Sequence, residues 1–220
     1  MDEHVHRHHE EDMLSVEDAR EKILGTVSKT EEVTIPVTDS LGLVLSGNVE
    51  SSINIPPYDN SAMDGYAIRA EDVTKASSEN PIVLNVIETI AAGQLPQEDI
   101  RESTAARIMT GAPIPNGSNA VVPFEDTTES ETFFKGGTDK IGICVAVREN
   151  SDIRRAGGDV SLGQKVLTQG TTISSSVIAV LSSLGQDKVS VYRSPVISII
   201  STGDELLEPG NKPEPGKIFD

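Results

Sequence analysis

The sequence predicts a multidomain α+β protein, in which a helical domain carries an inserted β-rich domain and the start of an α/β domain follows. Three features predict this organisation. Apolar residues recur at helical spacing in both flanks, short β-like runs fill the middle, and a nearly continuous apolar run comes close to the C-terminus. We expect a disordered tail at 1–13, the helical domain at 14–53 and 148–185, the β-rich insertion at 54–147 and the α/β start at 186–220.

Composition and charge narrow the possible partners. Thirty-five acidic residues against eighteen Lys and Arg give a formal net charge of −17, which would repel the phosphate backbone of a nucleic acid. No apolar stretch approaches the length of a membrane span, and the acidic N-terminus does not have the pattern of a secretory signal. We therefore expect a cytoplasmic protein with no nucleic acid and no membrane partner, which binds an anion only through local cations, backbone N–H groups or a divalent metal ion.

The single cysteine and the histidines are weak functional candidates. Cys144 has no second cysteine to pair with, and its alternating apolar surroundings favour a small buried hydrophobe over a reactive thiol. His4, His6, His8 and His9 lie among acids and have the composition of a weak metal site. A frayed tail is the favoured interpretation, because nothing rigid holds these imidazoles in place.

Both flanks contain a predicted helix. Ser15 and Asp18 form a capping-box pattern ahead of apolar residues at helical spacing, which predicts a helix over about 15–28. A second amphipathic helix is predicted at Ser174–Leu184, with Gly185 as its stop.

The middle of the chain predicts a compact β module. Turn signals such as Asn116-Gly117 and Gly136-Gly137 separate its short apolar runs. The predicted strands are Tyr66–Ile68, Ile82–Ile90, Ala105–Met109, Ala120–Phe124, Glu131–Phe134 and Ile141–Val147, and Lys165–Leu167 is a further one beyond the module.

The run Val196–Ile200 (VISII) predicts a strand that is apolar on both faces. Such a strand belongs in the middle of a parallel sheet covered by helices. A sheet of this kind needs several βα units, and too few residues remain before Asp220 to build them. We therefore expect the chain to be truncated relative to the working protein.

The stretch Pro56–Arg69 (PPYDNSAMDGYAIR) has the chemistry of an active-site loop. Its prolines hold the backbone extended, and the polar side chains at 59–61 can satisfy turns. Asp64 comes just before Gly65, which lets the backbone approach a ligand, so a tight bend would display the carboxylate. An acidic surface turn is the alternative, and the pattern alone leaves both open.

Three further stretches have loop chemistry. In Ile108–Pro115 (IMTGAPIP), Thr110 can bond an oxyanion, and a rigid hairpin corner is the alternative. Ser151–Gly163 contains two arginines, a glycine pair and Asp159. Ser201–Glu205 (STGDE) follows the apolar run, at the position where open α/β sheets bind ligands, and a capped helix start explains the same residues structurally.

Familiar catalytic signatures are missing from the sequence. It contains no G-x-G-x-x-G, no H-E-x-x-H and no paired C-x-x-C, and without a histidine outside the tail a Ser-His-Asp mechanism is excluded for this segment. Acid/base chemistry therefore falls to carboxylates. Glu125 and Asp126 could be such a pair, but solvated acids at a strand end are the favoured interpretation.

Four ordered stretches, PPYDNSAMDGYAIR, IMTGAPIP, RRAGGDVSLG and STGDELLEPG, resemble the molybdopterin molybdenumtransferase family, which includes the bacterial MoeA proteins and the gephyrin E domain. The resemblance covers about residues 14–220 and only the N-terminal part of the family. It implies an elongated helical domain with an inserted β domain. It also implies a third, α/β domain similar to the molybdopterin adenylyltransferases, of which only the opening is present, and a fourth domain that this sequence does not contain.

The resemblance implies a reaction and partners as well. Family members insert molybdate into adenylylated molybdopterin and release AMP in a step that depends on Mg²⁺ or a similar divalent cation. They are homodimers whose cleft lies between domain III of one subunit and domain II of the other. Molybdopterin adenylyltransferase and molybdoenzymes are further expected partners. We expect this chain to be inactive by itself.

Site residues are implied motif by motif. Asp64, Thr110, Asp159 and Glu205 match catalytic positions of the family, where carboxylates hold the cation or position a water and Thr110 bonds a phosphate or molybdate oxygen. No metal ligands are assigned. The expected substrate contacts are Asn60, Ser61, Arg154, Arg155, Ser201, Thr202, Gly203 and Asp204.

Two other functions are weighed against this transferase. A non-catalytic scaffold of the gephyrin type is the main alternative, but receptor binding would need the missing fourth domain. Adenylylation of molybdopterin is the third, and it would need a complete third domain. The preference for molybdenum or tungsten stays open.

Overall fold

The computed structural model describes residues 13–129 and 139–220, and most of their regular structure is β-strand. The histidine-containing tail, the predicted strand Glu131–Phe134 and the Gly136-Gly137 turn lie outside the described residues. The helices are α1 (Val16–Thr26) and α2 (Ser175–Ser183). The strands are β1 (Glu32–Pro36), β2 (Val44–Leu45), β3 (Val49–Glu50), β4 (Asn60–Ser61), β5 (Gly65–Ile68), β6 (Ile82–Ile90), β7 (Thr104–Ile108), β8 (Ala120–Pro123), β9 (Lys140–Ile143), β10 (Ile153–Arg154), β11 (Lys165–Leu167), β12 (Lys188–Tyr192), β13 (Leu206–Leu207) and β14 (Ile218–Phe219).

The central part of the chain forms a five-stranded sheet in the order β8-β5-β7-β6-β9. Only the β6–β7 pair is parallel, and the other neighbours are antiparallel. Because successive side chains point to opposite faces, Tyr66 and Ile68 pack in one apolar layer and Ala67 packs in the other. The strands predicted at 66–68, 82–90, 105–109 and 120–124 are confirmed to within a residue or two, whereas the run predicted at 141–147 is a strand only as far as Ile143.

The two flanking segments pair with each other. Strand β12 lies between β1 and β2, and β11 pairs with β3. Strand β10 of the second flank pairs instead with β4 in the central part. Helix α2 packs on the flanking segments through Leu181, which is fully buried with Leu45 and Val191. Ser174 caps the helix by accepting a hydrogen bond from the Val177 amide at 3.3 Å, and Gly185 ends it with φ 74°, as predicted.

The prediction of an elongated helical domain is wrong. Within the described residues the flanks contain two helices of 11 and 9 residues, and the rest of their regular structure is short strands and 3₁₀ turns. The alternating residues of β1 and β12 explain the difference, because Val and Ile at every second position bury one face of a ladder. Periodicity identified the helices correctly but gave too little weight to these strands.

The buried parallel strand predicted at Val196–Ile200 is not formed in the described residues. Val196, Ile197, Ile199 and Ile200 are 96, 77, 89 and 83% exposed and form no strand in the described part of the chain. A strand needs a neighbour for its N–H and C=O groups, and no described residue pairs with this run. The parallel pair that follows, β13 with β14, is only two residues long on each side.

Helix α1 has the predicted cap but no buried face. The Ser15 hydroxyl accepts a hydrogen bond from the Asp18 amide at 3.0 Å, as a capping residue should. Val16, Ile23 and Leu24 are nevertheless more than half exposed, and no residue of the helix is buried. None of the helices in the described residues has the length and apolar character needed to cross a membrane.

Candidate functional site

Asp64 lies at the end of the loop that leads into β5 and is bonded to Thr110. Its Oδ1 accepts hydrogen bonds from the Thr110 amide at 2.7 Å and from Thr110 Oγ1 at 2.8 Å. These two bonds, with a smaller attraction to Arg107, hold the pKa of Asp64 below its usual value. Oδ2 has no hydrogen-bond partner among the described residues, so an ionised, exposed carboxylate is fixed through one oxygen and presents the other.

Thr110 is held in place by a tight turn. The Ala112 amide donates to the Met109 carbonyl at 3.0 Å, and Gly111 takes φ 82° at the third position, the pattern of a type II turn. Ser61 joins this turn to the loop that carries Asp64: its amide donates to the Ala112 carbonyl at 3.0 Å, and its carbonyl accepts from the Gly111 amide at 2.9 Å. Two of the predicted stretches therefore form one unit.

Asp59 joins the arginine-containing stretch to the same unit. Its carboxylate accepts a hydrogen bond from the Ala156 amide at 2.8 Å and forms an ion pair with Arg155. The Ala156 bond is the largest cause that lowers the pKa of Asp59, and Arg155 adds to it. Nearby, the Asp159 amide donates to the Ile55 carbonyl at 2.9 Å. Three of the four predicted stretches thus meet around residues 59–64.

A second cluster of polar and aromatic side chains lies behind this site. The Arg107 guanidinium donates to Glu129 Oε1 at 2.9 and 3.1 Å and stacks 4.5 Å from the centroid of Phe124. The Tyr66 hydroxyl donates to Glu129 Oε2 at 2.6 Å, and burial together with this carboxylate raises the pKa of Tyr66. We call these four residues the Arg107 cluster. The sequence analysis missed it, although an arginine inside the apolar run Ala105–Met109 was a usable signal.

Comparison with known proteins decides the family. The family model of the MoeA N-terminal region, domains I and II, matches residues 14–185. The chain belongs to this MoeA family. Three of the stretches on which the resemblance rests fall inside the matched range, and they are the three that meet around Asp64.

Named relatives and solved structures agree with this family. Molybdopterin molybdenumtransferase 2 of Mycobacterium tuberculosis is 38% identical over 208 residues, covering 94% of this chain and 50% of the relative. The molybdopterin molybdenumtransferase of Staphylococcus epidermidis is 40% identical over 205 residues, covering 93% and 47%. A crystal structure of the molybdopterin biosynthesis MoeA protein of Pyrococcus horikoshii superposes with a TM-score of 0.77 at 32% identity, covering 94% and 51%. The chain spans about half the length of the relatives it matches.

The predicted substrate-binding residues of this MoeA chain differ in whether their side chains are free to bind a ligand. Arg154 is exposed and forms no ion pair among the described residues, so its charge is available to a ligand. Arg155, by contrast, is held by Asp59 and by the side chain of Asn150. Asn60 and Ser61 are only 6% and 0% exposed, which makes them supports of the loop in this structure.

The fourth stretch, Ser201–Glu205, stays apart from the other three. All five residues, including Thr202, Gly203 and Asp204, are exposed, and no hydrogen bond or ion pair among the described residues joins them to the Asp64 loop. The Lys217 ammonium instead donates to the Asp204 carbonyl. Within one chain, no hydrogen bond or ion pair of the described residues therefore joins Glu205 to the Asp64 loop, and Asp159 presents an exposed carboxylate.

Gly65 has a different role from the predicted one. A Cβ atom there would lie 2.0 Å from the Val122 carbonyl oxygen on β8. Glycine is thus needed at this position for the close approach of β5 and β8. Glu125 and Asp126 are exposed in the 3₁₀ turn after β8, as the favoured interpretation expected.

The carboxylates around Asp64 differ in how far they are open to a metal ion. No group of three or more His, Cys, Asp or Glu side chains in 13–129 and 139–220 is arranged to hold a metal ion. Asp59 is occupied by Arg155 and Ala156, and Asp64 has a single open oxygen.

We expect Asp59 and Asp64 to make the fold sensitive to acid. Their pKa values are lowered in the folded state, so the stability they contribute is present above the unfolded-state pKa and is lost as pH falls through the folded-state values. Between about pH 5 and pH 2 the unfolding free energy of the wild type should therefore fall more steeply than that of an Asp59→Asn/Asp64→Asn variant.

Urea denaturation at several pH values measures this difference. Replacing the exposed Asp99 by Asn is the matched control and should leave the wild-type slope unchanged. Equal slopes for the wild type and the double variant would show that these carboxylates are not stabilised by folding.

Proposed function

We propose that this chain belongs to a molybdopterin molybdenumtransferase of molybdenum cofactor biosynthesis. This enzyme inserts molybdate into adenylylated molybdopterin and releases AMP. The observation that carries the proposal is the convergence of three family stretches on the Asp64–Thr110 pair, which leaves one carboxylate oxygen open. The names of the relatives support the reaction class. No structural observation favours a scaffold function.

The residues of this chain suit a phosphate-bearing substrate that loses AMP. The open Oδ2 of Asp64 can accept a hydrogen bond from a water molecule and orient it toward a phosphoryl group. Arg154 supplies an exposed positive charge at the edge of the same loops, where the net charge of −17 would otherwise disfavour an anion. The Asp64–Thr110 bonds fix the carboxylate before the substrate arrives, which limits its reorganisation during reaction.

Mg²⁺ is proposed to arrive with the pyrophosphate of the substrate. This ion commonly keeps several waters and uses one or two carboxylates together with substrate phosphates. This coordination preference agrees with a site in which Asp64 offers a single free oxygen. It also agrees with the lack of a cluster of three ligands among the described residues.

We further propose a homodimer in the cytoplasm with a site shared between subunits. Asp64, Thr110, Asp159 and Arg154 would come from one chain, and the exposed Ser201–Glu205 stretch would come from the other. The separation of these two sets in a single chain supports this arrangement. Residues 54–147 would be the inserted domain, 14–53 with 148–185 the domain that carries it, and 186–220 the opening of an α/β domain. Molybdopterin adenylyltransferase and molybdoenzymes are the proposed partners.

Subunit complementation tests the shared site. Asp64→Ala and Glu205→Ala subunits are each expected to be inactive as homodimers. Mixed dimers should regain about one working site of two, because one site then receives both intact residues. If confirmed mixed dimers stay inactive, the site lies within one chain.

Activity is tested with the protein in the longest form that its gene encodes. Incubation with adenylylated molybdopterin, molybdate and Mg²⁺ is expected to release AMP and to form a cofactor that activates a molybdenum-free apoenzyme. Omitting molybdate is the control. Absence of AMP release from correctly folded protein would reject the proposed function.

A further inference from the structure

The strand ends that carry Asp64 and Thr110 are held together by contacts between their strands. Asp64 immediately precedes β5, and Thr110 follows β7 by two residues. Tyr66 on β5 lies opposite Arg107 on β7, and Gly65 lies opposite Ile108. The Asp64 carbonyl also accepts a hydrogen bond from the Phe124 amide at 3.2 Å, where β8 ends.

Members of the Arg107 cluster sit on each of these three strand ends. Glu129 binds both Arg107 of β7 and Tyr66 of β5, one with each carboxylate oxygen. Phe124 packs against both partners, edge-on to Tyr66 at 5.6 Å between ring centroids and under the Arg107 guanidinium. The side chains of Arg107 and Glu129 are only 25 and 12% exposed, so solvent screens their ion pair less than one on the surface.

We propose that Arg107 is a positioning residue for the Asp64–Thr110 pair: held by Glu129 and Phe124, it fixes the two strand ends and supplies the positive charge that keeps the Asp64 carboxylate in place. Its importance for turnover rests on the proposed function. Its effect on Asp64 does not, because that effect is a property of this fold.

The charges around Asp64 agree with this role. Arg107 is the charged neighbour that lowers the pKa of Asp64, after the two bonds from Thr110. The charged groups on neighbouring elements include the acids Asp59 before β4, Glu125 and Asp126 after β8, and Glu129. They also include three cations, namely Arg69 after β5, which pairs with Glu71, Arg154 on β10, and Arg155, which pairs with Asp59. Of all these cations and Arg107, Arg107 is the one that lowers the pKa of Asp64, so removing its charge should raise that pKa.

The test is the titration of the Asp64 carboxyl in the whole protein, followed by NMR, with hydrogen exchange of the Thr110 amide measured alongside. We expect Arg107→Gln to raise the pKa of Asp64 and to speed exchange of the Thr110 amide by about fivefold, the factor for one hydrogen bond of ordinary strength. Arg107→Lys should restore most of the titration shift because it keeps the charge. Arg69→Gln is the matched control, since Arg69, the residue after β5, pairs with Glu71 at 2.7 Å and not with the cluster.

Glu129→Gln distinguishes positioning by charge from general loosening. This variant removes the anchor but keeps the Arg107 charge, so the pKa of Asp64 should fall or stay the same. A rise of similar size in Glu129→Gln and Arg107→Gln would mean loosening and would overturn the proposal, as would no response of Asp64 to Arg107→Gln. Neither measurement needs a substrate, so a failed positioning role is separable from a failed transferase function.

Discussion

Asp64→Asn is expected to lower the rate of molybdenum insertion by about 100-fold or more, with the fold intact. The amide oxygen of Asn can still accept the two hydrogen bonds from Thr110. What the variant loses is the negative charge on the open oxygen, which is the group proposed to orient water at the phosphate. The measurement is AMP release by the protein in its longest natural form, with thermal unfolding as the check on folding.

Thr110→Ser is the matched variant for this experiment. It keeps a hydroxyl and the backbone amide, so Asp64 keeps both donors and most of the activity should remain. Wild-type turnover by Asp64→Asn, with wild-type stability, would remove Asp64 from the site.

Gly65→Ala is expected to cause a large loss of stability. The new Cβ would lie 2.0 Å from the Val122 carbonyl oxygen and 2.8 Å from its carbon, and both are backbone atoms of β8, the edge strand paired with β5. The strands must separate to admit it, which should cost about 3 kcal/mol or more. Urea denaturation measures the change, read from the midpoint at constant slope.

Gly25→Ala is the control for this substitution. Gly25 lies in helix α1 with nothing within 4 Å of the added Cβ, so the change should stabilise the helix by about 0.5–1 kcal/mol. A similar small effect at Gly65 would mean that β5 and β8 do not pack as closely as described. Activity should fall with stability in Gly65→Ala, since Asp64 is the adjacent residue.

The strands and helix caps could be predicted from the sequence because the residue types that favour them lie close together in the chain. The 82–90 run has the composition of a strand, and Ser174 and Gly185 delimit α2 with the residues that helix ends prefer. The run Val196–Ile200 shows the limit of such patterns, because apolar side chains predict burial only where another element covers them.

The candidate site was predictable in its parts but not in its arrangement. Ordered motifs picked out Asp64, Thr110 and Arg155, but sequence could not show that Arg155 is paired with Asp59 or that Ser61 bonds the turn after Thr110. Those contacts join residues some fifty to a hundred positions apart in the chain, so only the fold creates them.

The proposed function requires the three loops to form one ligand-binding surface. The direct measurement is the change in backbone amide NMR shifts when adenylylated molybdopterin is added to the protein. We expect the changes to concentrate at 59–64, 109–113 and 154–159, and Asp64→Asn to weaken them. Changes centred on the cavity of about 250 Å³ lined by Asn48, Glu50 and Lys188, with the three loops unaffected, would contradict the proposed function.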